Sequence, residues 1–342
     1  VPLPERRTKK RFQPVVESVF LCPAIGFYLP QVRRRQDMKL SLLLLLASTL
    51  STACSSAAED QAITGQPSET AQAMPQKGGK KAKKGGHKKN KAAAQADGLR
   101  HVGKLTDGIL ESSGLCAAPE AGTYFTFGDD GQQPTVWRVD GTGRQVDQFT
   151  LGAPNHDWES LSRDNSGNYY MGDCGNNGSD RQNLAILRFR PAQPGQVGKI
   201  NFKYPDQTAF PPAKNERNFD CEASLWHAGQ VYLFTKDRAT QSTCKVYSVP
   251  ETPGTYVAKA VTKLAIPGQV TDATLSPDGH RLVLLARQEL FILDGNTWAD
   301  ILKATPRHIS LQGAGQTEGA AFKDQNTLLI TTEQGDVYEL DL

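Results

Sequence analysis

From residue 99 onward the chain alternates between short apolar, β-branched runs and clusters of Gly, Asp, Asn, Ser and Pro. That is the pattern of strands joined by tight turns, not of amphipathic helices. The strongest runs are "TYFTFGDD", "NYYMGDC", "QVYLFTKD", "HRLVLLAR" and "TLLITTEQ". Each follows a turn ("PEAG", "NSGN", "HAGQ", "SPDG", "KDQN") and, before it, a segment that opens on an acid. Those openings are "ESSGLCAAPE" at Glu111, "DWESLSRDNSG" at Glu159, "DCEASLWHAG" at Glu222, "TDATLSPDG" at Asp272 and "TEGAAFKDQ" at Glu318. They lie 48, 63, 50 and 46 residues apart, a period typical of propeller repeats.

Third strands are predicted at "TVWRVD", "AILRFR", "KVYSVP", "ELFILD" and "DVYELDL", and weaker fourth strands at "RQVDQFTL", "KINFKY", "YVAKAVTKL" and "ILKATPRHISL". The fifth repeat has no fourth strand of its own. "LRHVGKLTDG", Leu99 to Gly108, precedes the first acidic opening and supplies it. An N-terminal strand completing the last sheet closes the ring and protects both edges. The expectation is an all-β, five-bladed β-propeller over 99–342, with four strands per blade. A sixth blade inside the longer second interval ("PDQTAFPPAKNERNF") is the main alternative. An all-β sandwich fits the period less well.

The start of the chain reads differently. Residues 1–37, with charge runs "RRTKKRF" and "RRRQD", read as an extension upstream of a start at Met38. Residues 38–53, "MKLSLLLLLASTLSTA", have one Lys before an apolar run too short to span a bilayer, the form of a signal peptide. Small residues directly before Cys54 resemble a bacterial lipoprotein signal, which makes Cys54 the expected lipidation site. Ser51 departs from the Leu such signals usually carry. Residues 54–98 are Lys-, Gly- and Ala-rich with almost nothing to bury, and are expected to form a disordered tether.

Net charge is +3 over the 342 residues, but the distribution is uneven. The tether carries eight lysines against four acids, and residues 99–342 carry 22 Lys and Arg against 29 Asp and Glu. An acidic body argues against nucleic acid as a partner, because phosphate contacts need basic charge on the docking face. The expected setting is the cell envelope, lipid-anchored at the outer membrane of a Gram-negative bacterium, as a monomer facing an unknown ligand or envelope protein.

Strands within a blade alternate in direction, so first strands begin on the face where second strands end. That rule gathers Glu111, Asp157, Glu159, Asp220, Glu222, Asp272 and Glu318 at one channel mouth with Asp129, Asp130, Asp173, Lys236, Asp237, Arg238, Arg287 and Glu333. His156, Asn176 and Asn177 join them from adjacent loops. So many carboxylates repel unless something offsets them. A hard cation with oxygen ligands does so, and Ca²⁺ is the expected one. Its candidate ligands are Glu111, Asp157, Glu159, Asp173, Asp220, Glu222, Asp272 and Glu318. Acids that accept backbone N–H bonds between blades are the other answer, and about half the positions are expected to act that way. Two neighbouring repeats double the acid, as "DWE" and "DCE". If chemistry occurs, its candidates are Asp157, Glu159, Asp220, Glu222, Lys236 and Arg238, in a metal-dependent hydrolysis of phosphate or carboxylate esters.

"GDCGNNGSD", Gly172 to Asp180, has the residues of a cation-binding turn without completing an EF-hand loop. Zinc is disfavoured, since no CxxC or paired-His spacing occurs. Among the body's cysteines, Cys174, Cys221 and Cys244 all point toward this face, so a disulfide is expected among them rather than with Cys116.

The order "ESSGL … FGDDG … VWRVD … DWESL … GNYYMGDCGNN … FDCEASL … VYLFTKDR … VTDATLSPDG … TEGAAF" resembles bacterial exported propellers related to the SdiA-regulated and phytase-esterase-like families, over about residues 101–342. The resemblance implies a propeller with a metal-rich channel mouth. Cys174 and Cys221 depart from its otherwise acidic or Gly-rich motifs. Three functions follow: a tethered propeller binding a ligand or partner through a Ca²⁺-loaded mouth, a metal-dependent esterase or phosphoesterase at the same face, or an envelope scaffold.

Overall fold

The computed structural model describes residues 98–342. The extension at 1–37, the signal peptide at 38–53, Cys54 and all of the tether but Gly98 lie outside the described residues. No helix among the described residues is long and apolar enough to cross a membrane.

The described chain forms five antiparallel sheets, one per repeat. Blade 1 runs Cys116–Ala117, Thr123–Phe127, Thr135–Asp140, Gln145–Thr150; blade 2 runs Trp158–Arg163, Tyr169–Asp173, Ala185–Phe189, Gly198–Lys203. Blade 3 runs Asp220–His227, Gln230–Lys236, Cys244–Pro250, Lys259–Leu264; blade 4 runs Val270–Leu275, Arg281–Ala286, Glu289–Asp294, Arg307–Ser310. Blade 5 is Thr317–Phe322, Thr327–Thr332 and Asp336–Asp341, completed by Leu99–Lys104, which pairs antiparallel with the last strand from Leu99↔Leu340 to Lys104↔Asp336. The first strands of successive blades pack on one another around the full ring. This is the five-bladed propeller the repeat predicts, closed by the expected N-terminal strand.

Each blade is buried on both faces, which is why its central strands are continuously apolar. Period-2 alternation sends neighbouring side chains to different blades. In Arg281–Ala286, Leu282 and Leu284 enter the cluster shared with blade 3, while Val283 and Leu285 enter the cluster shared with blade 5. In Tyr169–Asp173, Tyr169 and Met171 face blade 1 and Tyr170 faces blade 3. Five such clusters occur, one per blade interface. Fully buried side chains such as Leu284 and Phe234 each contribute about 1.5–3 kcal/mol.

Two outer elements depart from the sequence reading. "YVAKAVTKL" divides: Gly254–Val257 pairs parallel with Gly198–Lys203 on the edge of blade 2, and only Lys259–Leu264 belongs to blade 3. Ahead of the fourth strand of blade 4, Trp298–Ile301 is a single helical turn, N-capped by Thr297 whose side chain accepts from the Asp300 N–H. The long second interval adds no blade. Its extra length, between Lys203 and Asp220, is irregular apart from the 3₁₀ turn Lys214–Glu216.

Candidate functional site

Four of the five innermost strands carry one extra residue near their start. The pairing skips Glu159, Glu222, Thr271 and Glu318 in blades 2 to 5. A bulge of this kind re-aims the inserted side chain, and here Glu159, Glu222 and Glu318 turn into a cavity at the channel mouth. Blade 1 offers Ser113 at the same position, directly after the Ser112–Gly128 bridge. Asp272 is therefore one residue deeper than the bulge, and Glu111 is the counterpart of Asp157 and Asp220.

The cavity is about 190 Å³. Its carboxylates are Glu111, Asp129, Glu159, Glu222, Glu318 and Glu333, and its cations are Lys236, Arg238 and Arg287. These groups come from all five blades. The volume suits an ion and a small polar group, well below the size of a drug-like pocket.

On the blade 3 side the acids are saturated. Lys236 Nζ donates to Glu222 Oε2 at 2.8 Å, and Arg238 Nη2 donates to Glu222 Oε1 at 2.7 Å. Arg238 Nε reaches Asp220 Oδ2 at 2.5 Å, and the Asn176 N–H donates to Asp220 Oδ1 at 2.6 Å. Arg238 also bonds the Asn177 side chain. Burial pushes the Glu222 carboxyl up, but Lys236, a hydrogen bond shared with Asp220, and Arg238 outweigh it and hold Glu222 below its usual range. Burial and the Glu222 charge push Asp220 well above its own usual range despite Arg238. Lys236 is raised in return: burial opposes its charge and Glu222 wins.

On the blade 2 side the acids are short of partners. Asp129, Asp157 and Glu159 each bring a carboxylate oxygen to within 4.8 Å of the others. Glu159 Oε2 accepts from Ser113 Oγ at 2.8 Å. The Arg181 guanidinium stands 3.6 Å from Asp157 Oδ2 while bonding the Gly175 carbonyl at 2.6 Å. Asp157 is 8% exposed, and its Oδ1 is shielded from solvent with no hydrogen-bond partner. The placement is fixed by Asn155: its Nδ2 donates to the carbonyls of Gly128 and Asp129 at 3.0 and 2.9 Å, and its Oδ1 accepts from the Trp158 N–H. One side chain thus ties the Asp129 loop of blade 1 to the first strand of blade 2. Gly175 closes the rear, where a Cβ would sit 2.4 Å from Asp157 Cγ.

Uncompensated burial shows in the titration. Burial and then the Asp129 charge push Asp157 up to about 6. Burial, reinforced by Glu222 and Asp129, raises Glu159 well above the usual carboxylate range, and burial raises Asp129 as well. Across the mouth, burial lifts Glu318 to about 7, although Lys236 opposes it.

The remaining predicted residues separate by role. Asp173 is consumed by His156 Nδ1 at 2.8 Å and Arg181 Nη2 at 3.1 Å. Asp272 is fully buried and accepts from the N–H groups of Ala273 and Ala320, both at 2.8 Å, so it fastens blade 4 to blade 5. Glu111 stands at the rim with Gln132 Nε2 at 2.8 Å, and Glu318 takes Gln316 Nε2 at 2.8 Å. Arg287 makes no ion pair among the described residues and is exposed at the mouth. In "GDCGNNGSD", Asn176 Oδ1 accepts from the N–H groups of Asp180 and Arg181, both at 2.9 Å, so that side chain holds the loop's own turn.

Asp129 is at the mouth as the strand pattern predicts but is absent from the predicted ligands, and Arg181 and Ser113 are absent from the predicted site altogether. The doublet "DD" at the end of a second strand was the available signal for Asp129. Nothing in the sequence marked Arg181, which reaches back from a loop.

No family model and no curated protein matches the chain. Among solved structures, it is similar to the PQQ-bound aldose sugar dehydrogenase of Streptomyces coelicolor at 12% identity and TM-score 0.43, over 71% of this chain and 97% of that one. It is also similar to a chain of a mitotic checkpoint complex at 11% identity and TM-score 0.37, over 67% of this chain and 60% of that one.

Proposed function

We propose that the channel mouth binds a divalent cation, Ca²⁺ by the hardness of its donors, through Asp129, Asp157 and Glu159, and that the loaded mouth captures an anionic ligand or partner. The tether and a lipid on Cys54 would hold the propeller at the outer membrane, facing the envelope. The observation that carries this reading is the orphaned Oδ1 of Asp157 inside a three-carboxylate cluster. A buried carboxylate oxygen without a partner costs free energy that a cation recovers. The donors are all oxygen, which suits Ca²⁺ or Mg²⁺ and not zinc. Arg287, unpaired across the same cavity, supplies a positive group for an anion that the cation also attracts. The resemblance to the SdiA-regulated and phytase-esterase-like propellers agrees with a metal-rich mouth.

A second reading has its own support. Glu318 lines the same cavity with a proton affinity near neutrality, which suits a general acid or base. A metal-dependent hydrolase of phosphate or carboxylate esters would use it there. Unfolding temperature in Ca²⁺ and then in chelator tests the cation, and an unchanged value would leave only a scaffold. A panel of phosphate and carboxylate esters assayed with wild type, Glu159→Gln and Glu318→Gln separates binder from enzyme. Turnover lost in both variants supports the enzyme, and absence of turnover in the loaded wild type supports the binder.

A further inference from the structure

Beneath the mouth, blades 2 and 3 bring two cysteines together. Cys174 follows the second strand of blade 2, and Cys221 lies in the first strand of blade 3. Both are fully buried, and their sulfurs are 2.7 Å apart. A disulfide requires about 2.05 Å between sulfurs, so a shift of well under an ångström closes the gap. The other two described cysteines are directed elsewhere. Cys174 and Cys221 share the apolar cluster between blades 2 and 3, whereas Cys244 faces the cluster between blades 3 and 4 and Cys116 the one between blades 1 and 2.

We propose that Cys174 and Cys221 form a disulfide that staples blade 2 to blade 3 directly behind the channel mouth. Its neighbours make the position consequential. Cys174 is flanked by Asp173, which holds Arg181, and by Gly175, which packs on Asp157. Cys221 sits between Asp220 and Glu222, which hold Arg238 and Lys236. The bond thus joins the partner-poor side of the mouth to the saturated side. It also closes a 47-residue separation that contains the irregular excursion between the blades. Crosslinks over long loops restrict the unfolded chain most.

The oxidant is a disulfide-bearing thiol oxidoreductase or a small-molecule disulfide. The two cysteine thiols lose their protons and one electron each to form the S–S bond. The oxidant's disulfide takes up both electrons and both protons and leaves as two thiols. Both sulfurs are fully buried in the finished fold, and exchange requires the oxidant's sulfur to meet the attacking one. Bond formation therefore belongs to the folding chain, before the blades close. The pairing does not depend on whether a cation occupies the mouth.

The experiment uses the full chain, unfolded in denaturant and refolded with glutathione and glutathione disulfide. Free thiols are then alkylated and the protein is digested without reductant. The expected product is a peptide pair joined through Cys174 and Cys221, with Cys116 and Cys244 alkylated. The unfolding temperature should fall by about 5–10 °C on reduction. A Cys174→Ser/Cys221→Ser variant should show no such response to reductant. Alkylation of both Cys174 and Cys221 in the refolded wild type would overturn the proposal. So would either one bonded to glutathione or to any other cysteine. The peptide map decides even if the double variant fails to fold.

Discussion

"DWE" in blade 2 and "DCE" in blade 3 are the same motif at the same position, yet only the second is paired with cations from its own blade. Both put a bulged glutamate into the channel mouth, with an aspartate two residues earlier. In blade 3 the adjoining strand ends in "TKDR", and Lys236 and Arg238 form ion pairs with Glu222 and Asp220. In blade 2 the adjoining strand ends in "GDCG". It supplies no cation, and blade 1 contributes a further acid, Asp129. Of the three clustered acids Arg181 approaches only Asp157, at 3.6 Å, while its closer ion pair is with Asp173 at 3.1 Å. The acidic pattern alone does not make a cation site. What matters is the pattern minus the positive charge that the neighbouring strand provides.

That contrast predicts unequal responses to equivalent changes. Lys236→Met removes a partner from a buried pair and should cost about 3–5 kcal/mol in denaturant unfolding. Glu159→Gln removes a buried carboxyl that no cation partners, and should leave the cation-free protein as stable or more so. Equal losses in the two variants would break the comparison.

Gly175→Ala should come next. Its new Cβ meets the Asp157 carboxylate, with an expected cost of about 1–3 kcal/mol. A displaced ligand should also lower Ca²⁺ affinity by about 10–100-fold, as changes behind a ligand commonly do. Calorimetric titration of the variant reads the second effect separately from the first.

The pH dependence follows from the raised carboxyls. Asp157 and Glu318 have folded values of about 6 and about 7, above the ordinary carboxylate range. Between the unfolded and folded values the native state binds more protons than the unfolded chain. Their contribution is therefore fully present at acid pH and is lost as pH rises through about 6 and about 7. Cation-free protein should lose thermal stability across that interval. Ca²⁺ should reduce the loss, because cation and proton compete for the same oxygens. Thermal scans from pH 5 to 8, with Ca²⁺ or chelator, check both signs.

Arg287→Gln should have the smallest structural effect, within about 0.5 kcal/mol, because the side chain is exposed and unpaired. It should nevertheless weaken inorganic phosphate binding to the Ca²⁺-loaded protein while leaving Ca²⁺ affinity intact. Phosphate titration of wild type and variant measures that difference.

The blades were legible because their signals are local. Five acidic openings at a regular period, each running into a turn and an apolar strand, define the repeat, and Leu99–Lys104 fills the vacancy in the last one. The outer elements were less legible. Tyr256 and Val257 pair with blade 2 through a parallel contact that no turn signal announces, and the helical turn capped by Thr297 takes in Ile301, the first residue of the predicted strand "ILKATPRHISL". At the mouth, the sequence gathers the right face but does not sort it. A bulge shifts register by one residue, so Asp272 looks like a sibling of Glu159 and is instead a fastener between blades. The cations that separate blade 2 from blade 3 come from second strands and a loop, at distances that acidic spacing does not encode.

Calorimetric titration of Ca²⁺ into the metal-free protein reads the three oxygens of Asp129, Asp157 and Glu159 on one side of the ring. Wild type should bind one Ca²⁺, Asp129→Asn and Asp157→Asn should abolish the binding, and Glu318→Gln on the far side should retain it. No heat of binding in wild type, or binding that survives Asp129→Asn and Asp157→Asn, would rule out a cation site at these carboxylates.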